Sequence, residues 1–237
     1  MMQKVVEGIL ANCEELGRGK KNLLILHGWG GSLNEWRAVA EKLAERNRVT
    51  LVDLPGFGVS QKPSGDWGIY EYADWVEEFM KKTGIKEPTV LGHSFGGRVA
   101  IILGARRKAA KLVLVDAAGI EVKDFRARAF ATLAPMFRRL PQKIKNWFGS
   151  PDYRTAGNMR EIFVKVIGQD LRRHLGEIGC PTLVVWGERD MLLPIWQARV
   201  IKEGIKGAVL RIVWGATHWP HLEKPGELGQ ILEEEGI

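Results

Sequence analysis

A chain of 237 residues suits one domain, or one domain carrying an insertion, and a hydrophobic content of 45% is enough to bury a full core. No apolar run approaches the roughly 20 residues that cross a bilayer, and residues 1–8 lack the long apolar centre of a signal peptide, so a cytoplasmic protein without a membrane span is expected. The net charge of +7 comes with no basic tract and no recognition motif, which argues against a nucleic-acid partner, and two cysteines, Cys13 and Cys180, are too few for a disulfide framework or a metal site.

In chain order, Val5 to Leu10 and Ala11 to Leu16 read as a hairpin at a sheet edge, and Asn22 to Leu26 as a buried parallel strand. That strand runs into His27-Gly28-Trp29-Gly30-Gly31, where glycines free the backbone to face a cavity. The loop serves either as a tight turn with Trp29 as core filler or as the source of an oxyanion donor, the Trp29 N–H. Residues 34–46 carry apolar positions at helical spacing, and residues 48–54 form the next strand. It ends in Asp53, a conceivable catalytic acid whose expected role is to hold the following turn through backbone N–H groups. A helix over 69–83 follows.

Thr89-Val90-Leu91 are strand formers, and Val99 to Leu103 suits a helix packed on a sheet, so a sharp strand-to-helix turn falls at Gly92-His93-Ser94-Phe95-Gly96. This is the Gly-x-Ser-x-Gly spacing of a nucleophile elbow. Ser94 must be pushed above the sheet in a strained conformation, and Phe95 presents an unpaired N–H at the start of a helix, aimed at developing negative charge. Residues 110–116 form another buried strand. The repeated alternation of strands and helices predicts an α/β chain with an open, mostly parallel sheet covered on both faces, and ligands gather at the C-terminal strand ends of such sheets.

From Gly119 to about Gly179 the pattern becomes helical, over 123–140, 142–148, 152–168 and 170–177. Residues 121–177 hold 12 Lys and Arg against 6 Asp and Glu, so this stretch carries +6 of the net +7. Strands resume at 180–187 and 208–214, separated by a helix over 194–203, and a helix from about 225 to 234 closes the chain.

A serine at neutral pH needs a base, and the base needs a carboxylate to fix its tautomer. Ser94 follows one strand, Asp190 the next but one and His218 the last, in the order nucleophile, acid, histidine. Asp116 rivals Asp190 as the acid, and His221, three residues on in the same loop, stands as a lesser alternative to His218. His27 and His93 are expected to pack or bond locally, and His174 to lie on the insertion far from the sheet.

With these landmarks in place, the chain resembles the α/β-hydrolase superfamily over nearly its whole length. Within it, the His-Gly-Trp-Gly stretch looks most like small carboxylesterases, including pimeloyl carrier-protein methyl ester esterases. The resemblance implies an α/β-hydrolase fold: a mostly parallel central sheet of about eight strands flanked by helices. It divides the chain into a core, residues 1–119 and 179–237, and a small helical cap inserted at 120–178.

It further implies ester hydrolysis through an acyl-enzyme on Ser94, with His218 and Asp190, an oxyanion hole from Trp29 and Phe95, and no metal or organic cofactor. Phe130, Leu133 and Phe137 of the cap could line an acyl pocket or merely seat the cap on the core. The basic cap residues could receive a small carboxylated ester or an acidic acyl carrier protein, or simply be solvated. A carbon–carbon bond hydrolase or lyase, a perhydrolase, or a ligand receptor with little turnover could use the same framework.

Overall fold

The computed structural model describes residues 2–121 and 159–237. Eight strands form one sheet: β1 Met2–Val6, β2 Ile9–Leu16, β3 Lys21–Leu26, β4 Asn47–Val52, β5 Thr89–His93, β6 Lys111–Val115, β7 Thr182–Gly187 and β8 Val209–Val213. Their spatial order is β1-β2-β4-β3-β5-β6-β7-β8. Pairing is antiparallel from β1 to β2 and from β2 to β4 and parallel everywhere else, the mostly parallel sheet that the strand and helix alternation anticipates.

The helices are α1 Arg37–Leu43, α2 Ile69–Thr83, α3 Phe95–Ala105, α4 Arg160–Ile167, α5 Arg172–Leu175, α6 Trp196–Gly204, α7 Pro220–Glu223 and α8 Pro225–Glu234. The expected helix over 34–46 divides: Leu33–Trp36 is a 3-10 turn, and only Arg37–Leu43 is α-helical. Of the expected helices in the basic stretch, those at 123–140 and 142–148 lie outside the described residues. The described part of the helix expected over 152–168 is α4, and the one expected over 170–177 shortens to the single turn of α5.

Each central strand feeds two cores because side chains alternate across a sheet. Leu24 and Leu26 of β3, Leu112 and Leu114 of β6, and Val184 and Trp186 of β7 face a core completed by α2, α3 and α6. Leu23 and Ile25, Val113 and Val115, and Leu183 and Val185 face the opposite core, completed by α1 and α8. Burial of each such side chain stabilises the fold by about 1.5–3 kcal/mol. That is why these strands read as continuous apolar runs.

The hairpin departs from the sequence reading. Its turn lies at Glu7-Gly8, with φ of +48° and +75°, and Val6 pairs with Ile9. Two successive positive φ values suit the right-handed twist of the flanking strands in a two-residue loop, which places the reversal several residues before the expected break at Leu10.

Asp53 holds its turn, as expected. Its Oδ1 accepts from the Leu33 N–H at 2.7 Å, and its Oδ2 accepts from Val59 N–H at 3.1 Å and Asn12 Nδ2 at 2.8 Å. One buried carboxylate therefore joins the loops after β3 and β4 to strand β2. Asp53→Ala orphans these donors and is expected to destabilise the protein by roughly 3 kcal/mol. Chemical denaturation should show a lower midpoint with an unchanged denaturant slope.

Candidate active site

The end of β5 is crowded by backbone. A Cβ on Gly92 would lie 2.3 Å from the Gly96 carbonyl oxygen, and one on Gly96 would lie 2.2 Å from that of Leu26. Only glycine fits both places, and the close approach lets the Gly96 N–H donate to the His27 carbonyl at 3.1 Å. Between them Ser94 takes φ +48° and ψ −108°, a conformation that L-residues seldom adopt and that costs on the order of 1–3 kcal/mol. The residue is half-buried, standing where β5 passes into α3.

His218 and Asp190 meet in the neighbouring loops. The His218 Nδ1 lies 2.7 Å from Asp190 Oδ2, and the other Asp190 oxygen accepts the N–H groups of Leu192 and Leu193, each at 2.8 Å. Because the carboxylate can only accept, Nδ1 carries the proton, and the Nε2 lone pair is left for an incoming hydroxyl proton. The histidine is tied to the elbow as well: His93 Nε2, in the residue before Ser94, donates to the His218 carbonyl at 2.8 Å.

His93 is thus not confined to local contacts. Neither is His27, whose Nε2 accepts the Leu54 N–H at 3.0 Å while its Nδ1 donates to Gly28 O at 2.7 Å. Complete burial pushes the pKa of both rings down, that of His93 well below the ordinary range. The two histidines act as neutral struts between loops far apart in sequence.

His221 does not meet Asp190. Its ring stacks on Trp36, 4.3 Å between centroids and 4° from parallel, and it sits 4.5 Å from His93. Among the described residues, neither of its ring nitrogens has a hydrogen-bond partner, nor has Trp36 Nε1. Asp116, the rival acid, accepts the Gly187 N–H at 2.8 Å through Oδ1 instead of binding His218. His174 bonds to Tyr70 Oη at 3.0 Å and to Glu177 at 2.8 Å, away from this cluster.

Phe95 follows Ser94 directly, and Trp29 packs on Phe95. Among the described residues, neither backbone N–H takes part in a turn or loop hydrogen bond. Their rings touch edge to face at 5.3 Å, and Trp29 also meets Phe57 at 4.8 Å and Phe163 of α4 at 4.9 Å. The remaining candidates, Phe130, Leu133 and Phe137, lie outside the described residues.

One buried residue carries no sequence signal. Arg98 follows the elbow on α3, and its guanidinium donates to the carbonyls of Val166 at 2.9 Å and Gln169 at 2.8 Å. It closes the last turn of α4 and fixes that helix to α3; burial lowers its pKa to about 10. Its acceptors are backbone atoms about seventy residues away, so no motif could announce it.

Among the described residues, one group of side chains of types that could hold a metal comes together: Asp116, Asp190 and His218, each offering an atom within 4.8 Å of the others. Asp190 and His218 already satisfy one another and two backbone N–H groups. What the arrangement can do directly is activate a hydroxyl by proton transfer.

The chain belongs to the α/β-hydrolase family. Residues 21–153, more than half of it, match the family model described as alpha/beta hydrolase fold. A pimeloyl-[acyl-carrier protein] methyl ester esterase from Photorhabdus laumondii is 30% identical, over 91% of this chain and 92% of its own. The crystal structure of a bacterial membrane phospholipase A superposes with a TM-score of 0.82 at 26% identity, covering 98% of this chain and 84% of that one. A meta-cleavage product hydrolase from Pseudomonas fluorescens, 18% identical with a TM-score of 0.78 over 99% of this chain and 96% of its own, shares the fold. Among the described residues, no helix is long and apolar enough to cross a membrane.

Acid should expose the cost of the buried imidazoles. Burial depresses His221 from the ordinary 6.5 to about 3, so its contribution to stability is fully present above pH 6.5 and is lost progressively as pH falls toward 3, where the unfolded chain takes up a proton that the folded chain refuses. His221→Phe keeps a ring against Trp36 and removes this uptake. Its acid-unfolding midpoint should move to lower pH, and an unmoved midpoint would refute the assignment.

Proposed function

We propose that the protein is a serine hydrolase of carboxylic esters, with Ser94 as nucleophile, His218 as general base and acid, and Asp190 as the carboxylate that orients His218. The observation that carries this reading is the conjunction of a strained Ser94 at φ +48° with a buried Asp190–His218 pair at 2.7 Å, tied to the elbow through His93. His218 Nε2 takes the Ser94 proton as Oγ attacks the ester carbonyl. The Trp29 and Phe95 N–H groups receive the developing oxyanion, and the leaving alcohol departs with the proton from His218. Water then repeats the sequence on the acyl-enzyme and releases the acid.

Residues 120–178 act in this reading as a cap whose Phe130, Leu133 and Phe137 contact the acyl chain. The named activity of the Photorhabdus relative favours a methyl ester borne on an acyl carrier protein as one substrate to try, and the +6 charge between residues 121 and 177 would suit an acidic carrier. Small free esters remain the broader class.

Hydrolysis of p-nitrophenyl esters from acetate to laurate tests the assignment. Wild type should peak at one chain length. Ser94→Ala and His218→Ala should each lower kcat by about 10⁴-fold or more, and the double variant should cost little beyond either single one, because the residues act as a unit. Equal rates for wild type and Ser94→Ala would overturn the reading.

A further inference from the structure

Asp116 is wholly buried, at 0% exposure, and takes φ +41°, a strained conformation for a residue other than glycine. The strain turns its side chain from the end of β6 toward β7. There Oδ1 accepts the Gly187 N–H, and Oδ2 has no hydrogen-bond partner among the described residues. An oxygen of this carboxyl lies within 4.8 Å of both the Asp190 carboxylate and the His218 ring.

Two buried carboxylates at that separation repel strongly, and one proton between them removes the repulsion. The hydrogen bonds decide where it resides. Asp190 receives three donors, Leu192 N–H, Leu193 N–H and His218 Nδ1–H, whereas Asp116 receives one. Negative charge therefore settles on Asp190 and the proton on Asp116, whose otherwise unpartnered Oδ2 becomes a donor. Burial, opposed by the Gly187 N–H and reinforced by Asp190 and the more distant Glu223, holds the Asp116 pKa well above the usual carboxylate range.

We propose that Asp116 stands in the site as a neutral carboxylic acid directed at Asp190, and that it is the reserve partner of His218. The reserve role rests on the triad reading given above. When Asp190 loses its charge, the repulsion between the two carboxylates is gone, and burial and the more distant Glu223 are what still oppose ionisation of Asp116, which therefore follows as pH rises. Its proton passes to solvent, and its carboxylate supports the His218 imidazolium from the neighbouring strand end. Asp116 is a positioning residue: it acts on His218 and touches no reacting atom.

Two measurements test this. Infrared spectroscopy of the protein at pH 7 should show the carbonyl stretch of a neutral buried carboxylic acid, lost in Asp116→Asn or, if that variant does not fold, in Asp116→Ser. Ester hydrolysis by Asp190→Asn should fall only about 10²-fold and should recover with rising pH as Asp116 ionises, while Asp116→Asn/Asp190→Asn should fall by about 10⁴-fold with no such recovery. A neutral-acid band that survives both substitutions of Asp116 would overturn the proposal. So would equal rates and equal pH profiles for Asp190→Asn and the double variant, with both shown to be folded by circular dichroism. If wild type cleaves no ester, the esterase reading falls, and the infrared band still decides where the proton sits.

Discussion

The backbone crossing at the end of β5 is the constraint on which the rest of the site depends. Bringing the first turn of α3 onto the C-terminal ends of β3 and β5 requires carbonyl and Cα to meet at distances that no side chain tolerates, and Gly92 and Gly96 meet that requirement. The chain then cannot relax Ser94 into an ordinary helical or extended conformation. The resulting strain is sustained by the packing of α3 against the sheet through Val99, Ile101 and Ile102, all almost fully buried. A residue held in this way has a fixed direction, which is what the nucleophile role proposed for Ser94 would require.

Around that point the molecule builds a layer of buried polar groups, each spanning elements far apart in sequence. Asp53 gathers the loops after β3 and β4, His27 joins the same two loops, His93 links the elbow to the His218 loop, and Arg98 fastens α4 to α3. These groups have no water to fall back on, so their geometry is enforced by the cost of leaving a donor or acceptor unmet. Such bonds add little net stability, but they fix the relative positions of loops that could otherwise move independently.

The histidines show how one side chain takes different roles from its surroundings. His218 has a carboxylate on Nδ1, the feature on which its proposed role as a base rests. His93 and His27 are neutral spacers. His221, stacked on Trp36, uses its imidazole as a flat apolar plate despite two nitrogens with no protein partner. Equivalent residue types within a few ångströms of each other thus differ in chemistry because their hydrogen bonds and burial differ.

The sequence by itself determined the order of strands and helices, the elbow and the positions of Ser94, Asp190 and His218 after their strands. Each of these leaves a local trace: an apolar run, a glycine spacing or a residue at a strand end. It could not place the hairpin turn at Glu7-Gly8, because Glu7 gives no signal of positive φ, nor distinguish the 3-10 turn at Leu33–Trp36 from the helix that follows it. Which acid faces His218, what His93 and Arg98 hold, and why Asp116 stands beside Asp190 were decided by tertiary structure alone. Those relations join atoms separated by 28 to 125 residues, and the contacts exist only once the parallel sheet has brought its strand ends together.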